Sequence, residues 1–254
     1  MQVELQLHVA QQGVWAFQEE QGRLPTVNDA ADASKVVALA LAFEKEHAVL
    51  GGTGLAVDES VVIRVSMHAG VQLQPMCAFW GGVVAQELVK VAGKYTPIQQ
   101  FLNHHAFSCL PETPPAAADA APLCCRYDDM IAVFGRKFQE KLGDLRIFMV
   151  GCGALGCEFM KNFALLGVCC GPTGSLSVTD NDRIEVSNLN RQFLFREENV
   201  GKAKSECAAA RATTMNGAIR VHARHDLVAP ETEHLFDEAF WNGPPKQDRH
   251  SLSQ

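Results

Sequence analysis

The sequence predicts an α/β chain, in which a helical stretch over residues 1 to about 110 precedes a parallel sheet of alternating strands and helices. Three observations lead there. Apolar residues in the first part recur at helical spacing. From Arg126 onward, short apolar runs alternate with longer helical ones. A glycine-rich turn joins the first of those strands to the helix that follows it. Strand–helix–strand repeats with long crossovers imply parallel strands and right-handed connections.

In the helical part, Leu5, Val9 and Phe17 with Leu7, Val14 and Trp15 mark an amphipathic first helix that ends near Gly22 and Pro25. Ser34 is the candidate cap of a second helix, Lys35 to His47. Gly51, Gly52 and Gly54 break the chain, and third and fourth helices are expected over Val61 to Val71 and Phe79 to Val91, the last stopped by Gly93. The apolar stretch from Pro97 to near Leu110 fits a strand or a helix. PETPPAAADAAP, residues 111 to 122, has proline and alanine without apolar periodicity and reads as a linker.

Beyond Arg126 a helix over Lys137 to Leu142 stops at Gly143. Arg146 to Val150 is a buried strand, Ala154 to Leu166 a helix and Ser175 to Thr179 a second strand. Lys202 to Met215 is a third helical stretch and Ile219 to His225 a third strand. The polar ending GPPKQDRHSLSQ, residues 243 to 254, reads as a disordered tail.

Composition narrows the function. The net charge of −7 argues against a nucleic-acid partner. No signal peptide opens the chain, and no apolar run reaches the roughly 20 residues of a membrane span. Nine cysteines in such a chain fit reduced thiols in the cytoplasm or nucleus. The adjacent pairs Cys124/Cys125 and Cys169/Cys170 lack the spacing with which thiolates clasp zinc, so no metal ligand is assigned.

The chemistry lies in three motifs. Gly151-Cys152-Gly153-Ala154-Leu155-Gly156 follows a strand and opens a helix, where missing Cβ atoms and free helix N–H groups suit a phosphate. The competing reading is a glycine turn needed only for helix–sheet packing. Asp180 ends the next strand, 24 residues past Gly156, near the offset of an acid that holds ribose hydroxyls; Asp182 is its competitor, and either acid also suits a loop cap. The third motif is SNLNRQFLFR, Ser187 to Arg196, followed by Lys202 and Lys204. A hydride-transfer enzyme has no need of this string of cations, whereas attack on the α-phosphate of ATP does, because charge must be held as pyrophosphate leaves.

RYDDMIAVFG, VGCGALGCE, TDNDRIEVSNLNRQFLFR and KAKSE, in this order and spacing, resemble the active adenylation domain of ubiquitin-activating enzymes and, more distantly, the bacterial ThiF/MoeB adenylating enzymes. LHVAQQGVWAFQEEQGRLP is similar to the start of that family's four-helix bundle, and GGVVAQELVKVAGKYTPIQQFLNHHAFSCLPE to the end of its inactive adenylation repeat. The resemblance implies a four-helix-bundle-like segment over 1–75, the end of the inactive repeat over 76–110, a linker over 111–125, the N-terminal part of a Rossmann-like active adenylation domain over 126–242, and the tail over 243–254. It implies that Gly151, Gly153, Ala154 and Gly156 line the nucleotide and that Asp180 holds the ribose. Asn188, Arg191 and Lys204 would contact the phosphates, with Arg191 and Lys204 the catalytic pair and Asp182, Gln192 and Arg196 further candidates. The implied reaction is attack by the C-terminal carboxylate of ubiquitin or a ubiquitin-like protein on ATP, assisted by Mg²⁺, to give an acyl-adenylate.

Several family features are expected to be missing. The Mg²⁺-positioning aspartate, the thioester cysteine domain and the ubiquitin-fold domain that docks a ubiquitin-conjugating enzyme belong only to the full-length member. Cys152 and Cys157 read as packing residues. The expectation is a first half-sheet that, alone, binds ATP weakly or not at all and does not complete activation. The competing readings are an activator of another ubiquitin-like protein, a sulfur-carrier adenylating enzyme, a non-catalytic scaffold or partner subunit, and a nicotinamide dehydrogenase.

Overall fold

The computed structural model describes residues 2–243, and the chain divides into two compact units, Met1–Gly135 and Arg136–Gln254. All of the predicted tail except Gly243 lies outside the described residues.

The first unit is helical. Helix α1 (Gln2–Gln21) buries Val9, Val14 and Phe17 against Val36 and Ala40 of α2 (Ala30–His47), with Leu50 and Val62 completing the core. Gly13 makes the approach possible: a Cβ there would stand 2.8 Å from the Val36 carbonyl oxygen and 2.9 Å from the Ala40 Cβ. Helix α2 starts five residues before the expected Lys35. Its cap is Asp29, whose side chain accepts from the Asp32 amide, while the Ser34 hydroxyl lies inside the helix and bonds back to the Ala30 carbonyl. Asp32 takes a fork of hydrogen bonds from Arg23, which holds its carboxyl well below the usual carboxylate range and ties the loop to the helix.

Helix α3 (Glu59–Met67) is capped by Asp58 and is shorter than expected at its C-terminal end. Helix α4 (Gln74–Ala92) begins earlier than expected, with Pro75 in its first turn, and none of its residues is buried. The stretch from Pro97 to Leu110 is neither strand nor α-helix and holds one 3₁₀ turn, Phe107–Cys109. A single helical turn, α5 (Ala117–Ala120), and α6 (Asp128–Phe134) follow.

The second unit is the parallel α/β part. Helix α7 (Arg136–Gly143) leads to β1 (Arg146–Val150), α8 (Ala154–Leu166) and β2 (Ser175–Thr179). Then come α9 (Lys204–Met215), β3 (Val221–Arg224) and α10 (Glu238–Asn242). The strands run parallel in the order β1-β2-β3, with Val150 opposite Thr179 and Thr179 opposite Arg224. The helix expected over Lys202 to Met215 starts two residues later, at Lys204, and ends as expected, while the strand expected over Ile219 to His225 is trimmed at both ends.

The central strand is the driest: Leu176 and Val178 are fully buried beneath Met160 and Ala164 of α8 and Ala208 and Ala212 of α9. Small residues on α9 let that helix sit close to the sheet, and β-branched or apolar strand residues fill the space between. Phe148 of β1 meets Phe236, Phe240 and Trp241 at ring separations of 5.1, 5.1 and 5.6 Å, so the segment after β3 folds back onto β1. Because all three strands are parallel, their C-terminal ends share one edge, the edge where such sheets place ligands.

Candidate nucleotide site

At that edge the chain leaves β1 through Gly151, whose φ of +98° lies in the region that glycine alone enters without strain. The Gly151 amide donates to the Thr179 carbonyl at 2.8 Å, extending the strand pairing by one residue. Gly153 is the N-cap of α8 and carries no side-chain cap. A Cβ on Gly151 or Gly153 would meet nothing within 4 Å. The first turn of α8 therefore presents its unpaired N–H groups and positive dipole end to open space. Ala154 begins the helix there. Gly156 faces the other way: a Cβ on it would lie 2.3 Å from the Gly151 carbonyl oxygen, so this glycine lets the helix rest on the turn.

Asp180 follows β2 and is joined to the turn. One carboxylate oxygen accepts from the Cys152 amide at 2.5 Å and the other from the Asp182 amide at 2.8 Å. A carboxylate has about four lone-pair sites, so both oxygens keep capacity for further donors. Asp182 in turn reaches Lys204: its Oδ2 lies 2.8 Å from the Lys204 Nζ. Lys204 is buried, its side chain 8% exposed, while that of Asp182 is 63% exposed. The two meet because Arg183 and Ala203 form an antiparallel bridge and the Lys204 amide donates to the Asp182 carbonyl. The structure thus links the glycine turn, Asp180, Asp182 and Lys204 in one chain of contacts.

The residues between them are held on their own loop. Asn188 is buried, and its Oδ1 accepts from the Glu185 amide at 3.0 Å, shaping a 3₁₀ turn. Arg191 is exposed, and its guanidinium donates to the Ser187 carbonyl and the Asn190 side chain at 3.0 and 3.1 Å. Gln192 is 3% exposed, and its Oε1 has no hydrogen-bond partner. Arg196 turns back onto the Phe193 and Phe195 carbonyls. Leu194 and Phe195 anchor the loop in the core.

Burial pushes the Cys152 thiol up to about 12, with the Asp180 charge adding to the effect, and burial also raises Cys157. Neither is poised as a thiolate nucleophile.

The sequence did not point to His225, which follows β3 on the same edge. Its Nε2 is 2.9 Å from Glu206 and its Nδ1 3.3 Å from Ser205. With Asn181, Asp182 and Lys202 it lines a cavity of about 340 Å³. The available signal was position alone, one residue beyond a parallel strand.

The model of the ThiF family matches residues 127–242, and that of the ubiquitin-activating enzyme E1 four-helix bundle matches residues 1–44. Ubiquitin-activating enzyme E1 1 of Arabidopsis thaliana is 46% identical over 236 residues, 92% of this chain and 22% of the relative. Ubiquitin-like modifier-activating enzyme 1 of Homo sapiens is 43% identical over 239 residues, 93% of this chain and again 22% of the relative. Among solved structures, the E. coli tRNA N6-threonylcarbamoyladenosine dehydratase TcdA in complex with ATP matches with 30% identity and a TM-score of 0.40, covering 44% of each chain. Residues 127–242 thus carry a ThiF domain, and the chain is similar to ubiquitin-activating enzymes along nearly its whole length while spanning about a fifth (22%) of the length of these relatives.

Proposed function

We propose that this chain carries the nucleotide side of an ATP-dependent adenylating site that activates the C-terminal carboxylate of ubiquitin or a ubiquitin-like protein. The observation that carries this reading is the junction at the strand ends, where an open glycine turn, a carboxylate bound to that turn and a buried lysine are joined by hydrogen bonds. The names of the relatives support ubiquitin-like substrates.

In this reading the triphosphate lies against the first turn of α8 at Gly151, Gly153 and Ala154, and Gly156 keeps the helix close beneath it. Asp180 offers its remaining lone pairs to the ribose hydroxyls. Lys204 and Arg191 neutralise phosphate charge while the acyl carboxylate oxygen bonds to the α-phosphorus. The bond from that phosphorus to the bridging oxygen breaks, and pyrophosphate leaves with the electron pair. Arg191 is exposed and bound to neutral acceptors, so exchanging them for phosphate oxygens costs little. Asn188 and Arg196 serve by shaping the loop that presents it, and the unpartnered Gln192 Oε1 is left to accept a donor.

Among the described residues no group of three or more His, Cys, Asp or Glu is placed to hold a metal. Mg²⁺ in this reading would be held chiefly by the nucleotide's own phosphates and water. Residence in the cytoplasm and nucleus, without nucleic-acid or membrane partners, is part of the proposal. It is supported by the nine cysteines and a net charge of −7, and no helix among the described residues is long and apolar enough to cross a membrane.

The test is calorimetric titration of the purified chain with ATP and Mg²⁺, and separately with NAD. The expected result is weak binding selective for ATP, reduced in Arg191→Ala by about 1.5–3 kcal/mol, the range of a charge-assisted hydrogen bond. Preference for NAD, or nucleotide-independent capture of a ubiquitin-like protein with no ATP binding, would overturn it.

A further inference from the structure

Lys204 and Asp182 form an unequal pair. The lysine side chain is 8% exposed and the aspartate 63%, with 2.8 Å between the ammonium and Oδ2. A buried ammonium requires an anion or acceptor beside it, and losing that partner is costly. A wet carboxylate, in contrast, can leave its partner and be rehydrated at little cost. Among the described residues, Asp182 supplies the one hydrogen-bond acceptor for the Lys204 ammonium, so two of its three N–H donors remain for another oxygen. The pair sits beside the glycine turn: the Lys204 charge is felt by both Cys152 and Cys157, and the Asp182 amide is bound to Asp180. Arg183, Lys202, Glu206 and His225 are the other charged or titratable groups around the adjoining cavity.

We infer that Asp182 is a placeholder anion for Lys204: it holds the ammonium in the nucleotide-free chain and yields it to a phosphate oxygen when ATP binds. This rests on the ATP reading of the site and adds how its main cation is kept in register while the site is empty. Asp182 is then a positioning residue. Its backbone carbonyl and the Arg183–Ala203 bridge keep the lysine backbone in place during the exchange, so only two side chains need to move. No covalent bond changes. One ion pair is replaced by another, and the released carboxylate turns to water.

Linkage sets the sign of the effect. A contact that stabilises only the nucleotide-free chain opposes binding, so removing it strengthens binding. Asp182→Asn should bind ATP about two- to fivefold more tightly, the range of a half-exposed ion pair, and Asp182→Glu should bind like the natural chain. The direct readout is the Asp182 side-chain carboxyl carbon in the NMR spectrum of the full chain. Lys204→Met defines the signal of the released carboxylate, and the nucleotide-free natural chain defines the paired one. With saturating ATP and Mg²⁺ the signal should move to the released value. A signal that stays at the paired value while the amides of Gly151–Gly156 shift, or an Asp182→Asn chain that binds ATP more weakly, would overturn the inference while leaving the ATP reading intact. Absence of any ATP-induced shift at Gly151–Gly156 would overturn both.

Discussion

Replacing Gly156 and Gly153 by alanine, one at a time, separates what the glycine turn does for the fold from what it does for a ligand. The Gly156 Cβ would lie 2.3 Å from the Gly151 carbonyl oxygen, about an ångström inside ordinary contact. The obstacle is backbone and cannot rotate away. It cannot easily retreat either, because the Gly151 amide is bound to the Thr179 carbonyl and its φ of +98° is already special. Overpacking of this kind costs about 3 kcal/mol at the upper end of its range, and alanine's better helix propensity returns about 1 kcal/mol. The net loss is about 2 kcal/mol, or about 8 °C in the midpoint for a unit of this size. Gly153→Ala places its methyl in open space at φ −70°, so it meets no clash and the expected loss is about 0.5–1 kcal/mol, the difference between glycine and alanine at an N-cap. That methyl covers the N-terminal face of α8, so ATP affinity should fall. Differential scanning calorimetry of the second unit, with nucleotide titrations, reads both effects. A Gly156→Ala chain that melts with the natural one would refute the packing argument, and a Gly153→Ala chain that loses as much stability as Gly156→Ala would refute the separation.

Three further predictions address the rest of the chain. Asp32 carries a depressed folded-state value because Arg23 and the Thr26 amide favour its charged form. Its stabilisation is therefore present above the unfolded value of about 3.9 and is lost as pH falls toward the folded one. Asp32→Asn should lower the midpoint of the first unit at pH 7 and flatten its dependence on acid, as read by thermal unfolding from pH 7 to 2. Gly13→Ala should destabilise the first unit by about 1–3 kcal/mol, measurable by urea denaturation, because its methyl would strike Val36 and Ala40 of α2. Iodoacetamide at pH 8 should label the exposed Cys77, Cys109 and Cys124 long before Cys152 and Cys169, both pushed to about 12 by burial; peptide mass spectrometry would show the order.

The strands and α8 were legible because their signals are local and strong. Arg146–Val150 and Ser175–Thr179 are short apolar runs bounded by turns, and α8 lies between the Gly153 and Gly167 stops. Helix α2 was misread at its start because Ser34 and Asp29 are both good caps; Asp29 wins since the alanines after it already favour helix and its side chain reaches the Asp32 amide. In α4 the early start follows from Pro75, a first-turn residue that periodicity alone overlooks. The fold-back of Phe236, Phe240 and Trp241 onto Phe148 depends on pairing across the whole unit, which no local window carries.

At the site, motif spacing singled out the glycine turn, Asp180 and the basic string, but not how they are joined. The link from Asp180 to the Cys152 amide is a product of strand register. That from Asp182 to Lys204 crosses 22 residues and depends on a two-residue bridge with no sequence signature. His225 could be found only from where β3 ends.

The central claim is that a nucleotide's phosphates rest on the turn between β1 and α8, and amide NMR of the full chain titrated with ATP and Mg²⁺ tests it most directly. The account predicts that the largest shifts fall at Gly151–Gly156 and at Asp180–Asp182, with Lys204 following. Shifts that leave the glycine turn unmoved and gather instead at the separate cavity lined by Leu194, Cys207 and Arg211 would contradict it.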